Sequence, residues 1–258
     1  MTAIGTGVPA RPASWARMTL ALATHEVRMG LRRGEALLIT YVIPVGVLLV
    51  FSAFGPIGAT ATKPVDQLLP GAISLAVIAA AFVSLAISTG FERQYGVIKR
   101  LGGSPAGSSV VVAAKTASVV LVELVQLVLL VGVAAGVLGW SAGPTASAAV
   151  VLAALVLGTI AFAGLGLLLA GTLRAEATLA LANLLFLVFL VLGGIVVPIE
   201  RLPDAVARIA GALPAAALTQ ALAIGLGHAP GDAGPPLALL AGWAVVLAAL
   251  AAWRFRWD

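Results

Sequence analysis

The sequence predicts an all-α integral membrane protein. Six transmembrane helices are preceded by an interfacial helix, with a short helix at the cytoplasmic surface after the second span and a re-entrant helical hairpin on the outer side before the last. Three observations carry this reading. Of the 258 residues, 61% are hydrophobic and 10% charged, with a mean hydropathy of +1.13, whereas roughly a quarter of the residues in a soluble domain are charged. Apolar runs recur at lengths near the ~20 residues that cross a bilayer. The basic residues gather in alternate connections between those runs.

Residues 1–36 form a basic N-terminal arm. Between Trp15 and Arg33, the residues Trp15, Met18, Leu22 and Met29 fall on one helical stripe with Arg17, Thr24 and Arg28 opposite. That pattern predicts an amphipathic helix lying in the membrane interface. Glu26 intrudes on the apolar side, and Leu20, Val27 and Leu31 widen it. The competing reading is a basic leader that only sets topology. No cleavable signal peptide is expected, because the first long apolar run starts only at Leu37, after several charges.

The membrane domain then covers residues 37–258, with spans at about Leu37–Phe54, Leu69–Gly90, Val110–Leu138, Ala146–Ala170, Leu179–Val197 and Leu237–Trp253. They must be helices or closed barrel strands, since hydrocarbon offers unpaired N–H and C=O groups no partner. Barrel strands alternate apolar and polar residues, whereas Leu184–Val191 is apolar throughout. Arg11, Arg17, Arg28, Arg32 and Arg33 lie in the arm, Arg93, Lys99, Arg100 and Lys115 around the second connection, Arg174 in the fourth, and Arg254 and Arg256 in the tail. These are twelve of the fifteen Lys and Arg, leaving Lys63, Arg201 and Arg208 for the other side. Both termini are therefore expected in the cytoplasm, with an even number of spans.

The net charge of +5 comes without a dense basic block interleaved with aromatics, so it does not point to nucleic acid. The absence of Cys excludes disulfides, thiolate metal sites and a cysteine nucleophile. The sequence contains no G-x-x-x-x-G-K-[ST] and no H-E-x-x-H, and the two histidines, His25 and His228, fall on opposite sides of the membrane in this topology. No catalytic residues and no metal site are expected.

Polar residues interrupt the spans at Lys115, Glu123, Gln126 and Asn183. Lys115 is near the cytoplasmic end and is expected to snorkel. It stands eight residues from Glu123, about 12 Å along a helix and too far to pair. Glu123 and Gln126, three residues apart, share a face that either lines a substrate pathway or hydrogen-bonds between helices. Asn183 reads as an interhelical polar residue with a structural role. Gly132 and Gly136 carry the small-residue spacing that permits close helix approach.

The stretch Gly90-Phe-Glu-Arg-Gln-Tyr-Gly-Val-Ile-Lys-Arg-Leu-Gly-Gly-Ser-Pro105 concentrates charge after the second span. It predicts a short surface helix from Glu92 to Leu101, stopped by Gly102, Gly103 and Pro105. After the fifth span, Pro198, Pro203 and Pro214 break the helical pattern, which predicts the re-entrant hairpin. The alternative, a seventh span over Ala212–Leu226, would place the C-terminus outside, against Arg254 and Arg256.

Glu92, Arg93, Gly96, Lys99, Leu101 and Pro105 together resemble the E-R-x-x-G-x-x-K-x-L-x-x-x-P pattern in the first cytoplasmic loop of ABC-2-type transporter permeases, including the daunorubicin-resistance kind. The run Gly193 to Pro214 resembles the short outer helices of the same family, although Pro214-Ala-Ala-Ala-Leu lacks the usual preceding Asn and following aromatic. The resemblance implies a coupling helix at Glu92–Leu101, docked on a cytoplasmic nucleotide-binding ATPase subunit that holds ATP and Mg. It also implies a second permease subunit, identical or homologous, and a place in the cell membrane. The function it implies is export of a hydrophobic or amphipathic substrate, a drug-like molecule or a lipid. The alternative from another class is a membrane protein not driven by ATP, either a secondary carrier or an assembly component. A carrier should show internal repeats and helices broken at mid-membrane, and no clear repeat is present.

Overall fold

The computed structural model describes residues 14–32, 41–54, 63–102, 107–195 and 199–254, and every regular element among them is helical. The amphipathic stripe of the arm folds as α1 (Trp15–Arg32), and α2 is Ile43–Phe54. The boundary between arm and membrane domain, at residues 36 and 37, lies outside the described residues. Helix α3 runs from Pro64 to Gln94, α4 from Val97 to Gly102, α5 from Gly107 to Leu138, α6 from Ala148 to Thr172 and α7 from Ala175 to Leu192. A 3-10 turn at Ile199–Arg201 leads into α8 (Asp204–Gly211), α9 (Pro214–Gly225) and α10 (Gly234–Arg254).

Among the described residues five helices are long and apolar enough to cross a membrane, and six if the α8–α9 pair counts as one span. The second span is longer than the expected Leu69–Gly90. Pro64 opens α3 at a position where its missing N–H costs nothing, and helical hydrogen bonding continues past the apolar run to Gln94. The fifth is displaced from Leu179–Val197. It starts at Ala175, where Arg174 ends the previous connection in extended conformation, and closes in a turn at Gly193 and Gly194. Apolarity marks where hydrocarbon lies, whereas turn residues mark where the helix stops, and the two differ by several residues here.

Helix α3 is the centre of the bundle. It packs against α2, α5, α6, α7 and α9, and from Leu68 to Val83 every residue is buried. Its middle turns, Ile78–Ser84, are a π-helix, a wider coil with one surplus residue in the ladder. Phe189 of α7 meets Phe82 of α3 and Phe162 of α6 edge to face, with centroids 6.1 and 5.5 Å apart. Helix α6 forms a shared wall between α3 and α10, and its glycines permit this. A Cβ on Gly164 would stand 2.9 Å from the Leu247–Ala248 backbone of α10, and one on Gly166 would stand 3.0 Å from the Phe82 carbonyl oxygen. The expected close approach at Gly132 and Gly136 is absent among the described residues of this chain, since a Cβ at either meets nothing within 4 Å there. Both lie on α5, which touches α3 with other faces.

Helices α8 and α9 are bent against each other by 79°. Pro203 caps α8 and Pro214 opens α9, and Pro198 lies outside the described residues. Alone, α9 covers 12 residues, about 18 Å, which is short of the ~30 Å hydrocarbon core. By itself it is too short to be a seventh span, and only the bent pair together is long and apolar enough to count as one. Protein covers the break: the Trp243 indole N–H of α10 donates to the Ala212 carbonyl at 2.9 Å.

Candidate functional site

Three consecutive residues at the last turn of the central helix each reach a different neighbouring element. Helical side chains at successive positions point about 100° apart, so Glu92, Arg93 and Gln94 fan outward from one turn. The carboxylate of Glu92 stands 2.7 Å from Nζ of Lys115 on α5. The guanidinium of Arg93 donates to the carbonyls of Ala170, at 2.9 Å, and Leu173, at 3.2 Å. These belong to the C-terminal turn of α6, where carbonyls lack intrahelical partners and the helix dipole favours a cation. The amide of Gln94 donates to Glu176 Oε1 of α7 at 2.9 Å.

Lys115 is 6% exposed, so the snorkelling expectation is overturned: two carboxylates hold it in place. Glu26 of α1 sits 3.1 Å from the same Nζ, which explains why an acid interrupts the apolar stripe of α1. Helix α1 packs along α5, where Glu26 meets the one lysine, whereas Trp15 and Met29 of the stripe stay exposed. Two carboxylates from separate helices thus share one buried ammonium.

The expected continuous helix from Glu92 to Leu101 is split. Glu92 and Arg93 belong to the last turn of α3, which ends at Tyr95 and Gly96. Gly96 has φ +69°, a left-handed conformation that glycine adopts without cost, and α4 restarts the coil in a new direction. Helix α4 packs on both α3 and α5, beside the lysine junction. Lys99 is exposed on it. The Leu101 side chain and Pro105 lie outside what is described.

In mid-bundle, Thr159 Oγ1 of α6 donates to Glu123 Oε2 at 2.7 Å and lies 2.8 Å from the Leu155 carbonyl. Gln126 is buried, 2% exposed. Asn183 is instead exposed on α7, among Leu179, Leu184 and Leu187. The two helices α3 and α7 run antiparallel: Gly90 packs on Ala175 and Thr178, and Phe82 on Phe189. Asn183 therefore lies level with Ser84 and Ser88, where the otherwise buried α3 opens a face comprising exposed Ser84 and half-buried Ile87, Ser88 and Phe91. Sequence reasoning missed Glu26, Gln94, Ser84, Ser88, Thr159 and Glu176. Glu26 could have been found as an acid out of phase with its stripe opposite a lone lysine in an apolar run. The others are short polar side chains whose partners are set by packing.

No group of three or more His, Asp or Glu that could hold a metal occurs among the described residues. The family model of ABC-2 type transporters matches residues 18–226. No individual curated protein matches the sequence. The match runs from α1 to just past α9 and takes in the fanned residues, their lysine and the bent pair, so this chain is a multi-pass membrane protein of the ABC-2 type transporter family, the membrane-embedded permease component of an ABC transporter.

Proposed function

We propose that the chain is the transmembrane subunit of an ATP-driven exporter for a hydrophobic or amphipathic substrate, with ATP and Mg held by separate cytoplasmic subunits that dock at α4. The observation that carries this reading is the fan at Glu92, Arg93 and Gln94. A push on α4 enters the bundle through the end of its central helix, which is tied to α5, α6 and α7 by ion pair and hydrogen bonds. Rigid elements joined by discrete polar contacts can convert closure of an ATPase dimer into rocking of a helix bundle. In this reading the α4 end and both termini face the cytoplasm of the cell membrane, as the basic residues indicate.

The exposed Ser84 of α3 and Asn183 of α7 support a second permease subunit, the same chain or a homologue. An amide at mid-span lowers its cost by hydrogen bonding to another helix or facing a wet cavity, and two such faces meeting would provide both. Glu123 is assigned to holding α5 against α6 through Thr159.

The deciding experiment purifies the tagged protein in mild detergent, identifies co-purifying proteins by mass spectrometry and assays ATP hydrolysis. A P-loop ATPase is expected, with its activity stimulated by the permease. Glu92→Ala combined with Gly96→Pro is expected to insert normally and lose that stimulation. Wild-type stimulation in this variant would sink the coupling role, and recovery of the chain alone, without hydrolysis in several detergents, would favour the carrier or assembly alternative.

A further inference from the structure

Where α5 meets α6, a carboxyl group has one oxygen in use and one idle. Thr159 Oγ1 of α6 stands 2.7 Å from Glu123 Oε2 of α5, whereas Glu123 Oε1 is buried without a hydrogen-bond partner. Lys115, the one cation of α5, is eight residues away, about 12 Å along the helix. It is already held between Glu26 and Glu92. A carboxylate at membrane depth is costly until a cation joins it. A residue kept only to tie α5 to α6 would do so as an amide or a hydroxyl, without a second oxygen buried and unused.

The surroundings give the acid a way in from the bilayer. Helix α5 packs along α1, α2, α3 and α4, and α6 along α3, α7, α9 and α10, so the Glu123–Thr159 bond bridges the seam between two groups of helices. Both residues are half-buried. Within one turn of them, Val120 and Leu124 on α5 and Val156 and Ile160 on α6 are exposed. The seam is thus rimmed by apolar side chains that face hydrocarbon, with the acid just inside the rim. The Thr159 hydroxyl has one proton and two acceptors in reach, since the Leu155 carbonyl lies 2.8 Å away. Giving that proton to Leu155 frees the carboxylate without orphaning the hydroxyl.

We infer that Glu123 reads the charge of the substrate: a lipophilic cation, an ammonium or phosphonium centre carried on an apolar body, enters the α5–α6 seam from the bilayer and pairs with the Glu123 carboxylate. The apolar body lies against Val120, Leu124, Val156 and Ile160, and burying it supplies the non-selective part of the affinity. The carboxylate supplies the selection. A neutral molecule of similar shape gains nothing from it, and an anion is repelled. This inference rests on the exporter reading above and narrows its substrate class from hydrophobic or amphipathic to cationic.

The test is equilibrium binding of radiolabelled tetraphenylphosphonium to the purified full chain in dodecyl maltoside, with neutral triphenylphosphine oxide as competitor. Saturable binding that the neutral compound does not displace is expected. Glu123→Gln should weaken it about tenfold or more, whereas Thr159→Val, which removes the tie and keeps the charge, should stay within about threefold of wild type. Absence of saturable binding, equal affinity in wild type and Glu123→Gln, equal loss in both variants, or displacement by triphenylphosphine oxide would each overturn the inference. If Glu123→Gln does not accumulate, the wild type answers alone: tetraphenylphosphonium should protect Glu123 from modification by dicyclohexylcarbodiimide, read by mass spectrometry, and modification at an unchanged rate would overturn it. Neither measurement needs ATP or a partner. A chain that binds the cation but stimulates no ATPase would sink the exporter reading and leave the binding site standing, and stimulation without cation binding would do the reverse.

Discussion

Lys115 Nζ lies 2.7 Å from Glu92 Oε2, and with Glu26 3.1 Å away on the other side it joins α5 to both α3 and α1. Removing the lysine leaves two mutually repelling carboxylates in a poorly solvated place. Lys115→Met should therefore cost about 3 kcal/mol of stability. Glu26→Gln should cost less, since Glu92 still neutralises the ammonium. Unfolding midpoints in detergent check the order, and a midpoint for Lys115→Met equal to wild type would show that the junction contributes nothing.

Arg93 should not tolerate lysine. Its planar fork spans two carbonyls, Ala170 and Leu173, and a lysine ammonium does not reproduce that geometry. Arg93→Lys is expected to behave like Arg93→Ala, with both losing permease-stimulated ATP hydrolysis while insertion persists. Full activity in Arg93→Lys would mean that charge alone suffices at the end of α6.

Two glycines of similar sequence context should respond oppositely. Gly164→Ala forces a methyl group against the α10 backbone 2.9 Å away and is expected to destabilise by about 1–3 kcal/mol through overpacking. Gly132→Ala meets open space within this chain and should be neutral or stabilising by up to about 1 kcal/mol, the helix-propensity difference. Comparing the two melting midpoints decides the matter.

The exposed amide of α7 can be tested by cross-linking, because the chain has no cysteine to interfere. Oxidation of Asn183→Cys in membranes should yield a disulfide-linked species of twice the mass if two copies meet there, or a mixed species with a homologous permease. Val128→Cys, exposed on α5, should stay monomeric. Equal cross-linking at both positions would remove the preference for the α7 face.

Helix identity and order were legible because hydrocarbon imposes one requirement, long apolar runs, which the sequence meets openly. The E-R-x-x-G pattern at Glu92 was legible too, and so was the break at the prolines Pro203 and Pro214. The partners of Glu92 and Arg93 were not. Lys115 and Glu26 lie 23 and 66 residues from Glu92 along the chain, and only helix packing brings them together. Ala170 and Leu173 offer Arg93 backbone carbonyls, which every residue possesses and no sequence pattern advertises. The split at Gly96 was hidden because residues on both sides are good helix formers, and only the backbone angle records the change of direction.

The π-helix at Ile78–Ser84 sets the angular phase of everything that follows it on the central helix. One surplus residue advances the coil by about 100° relative to an uninterrupted α-helix. Deleting a single residue there, such as Ala80, would let the ladder close regularly with the far end in its present phase, whereas winding all the same residues as regular α-helix would swing the far end round by that angle. Glu92 would then face away from Lys115 and Arg93 away from α6, with no change in any residue that makes those contacts. The wide turns therefore act as a timing mark, keeping the half of the helix that begins at Pro64 in step with the half that meets α4.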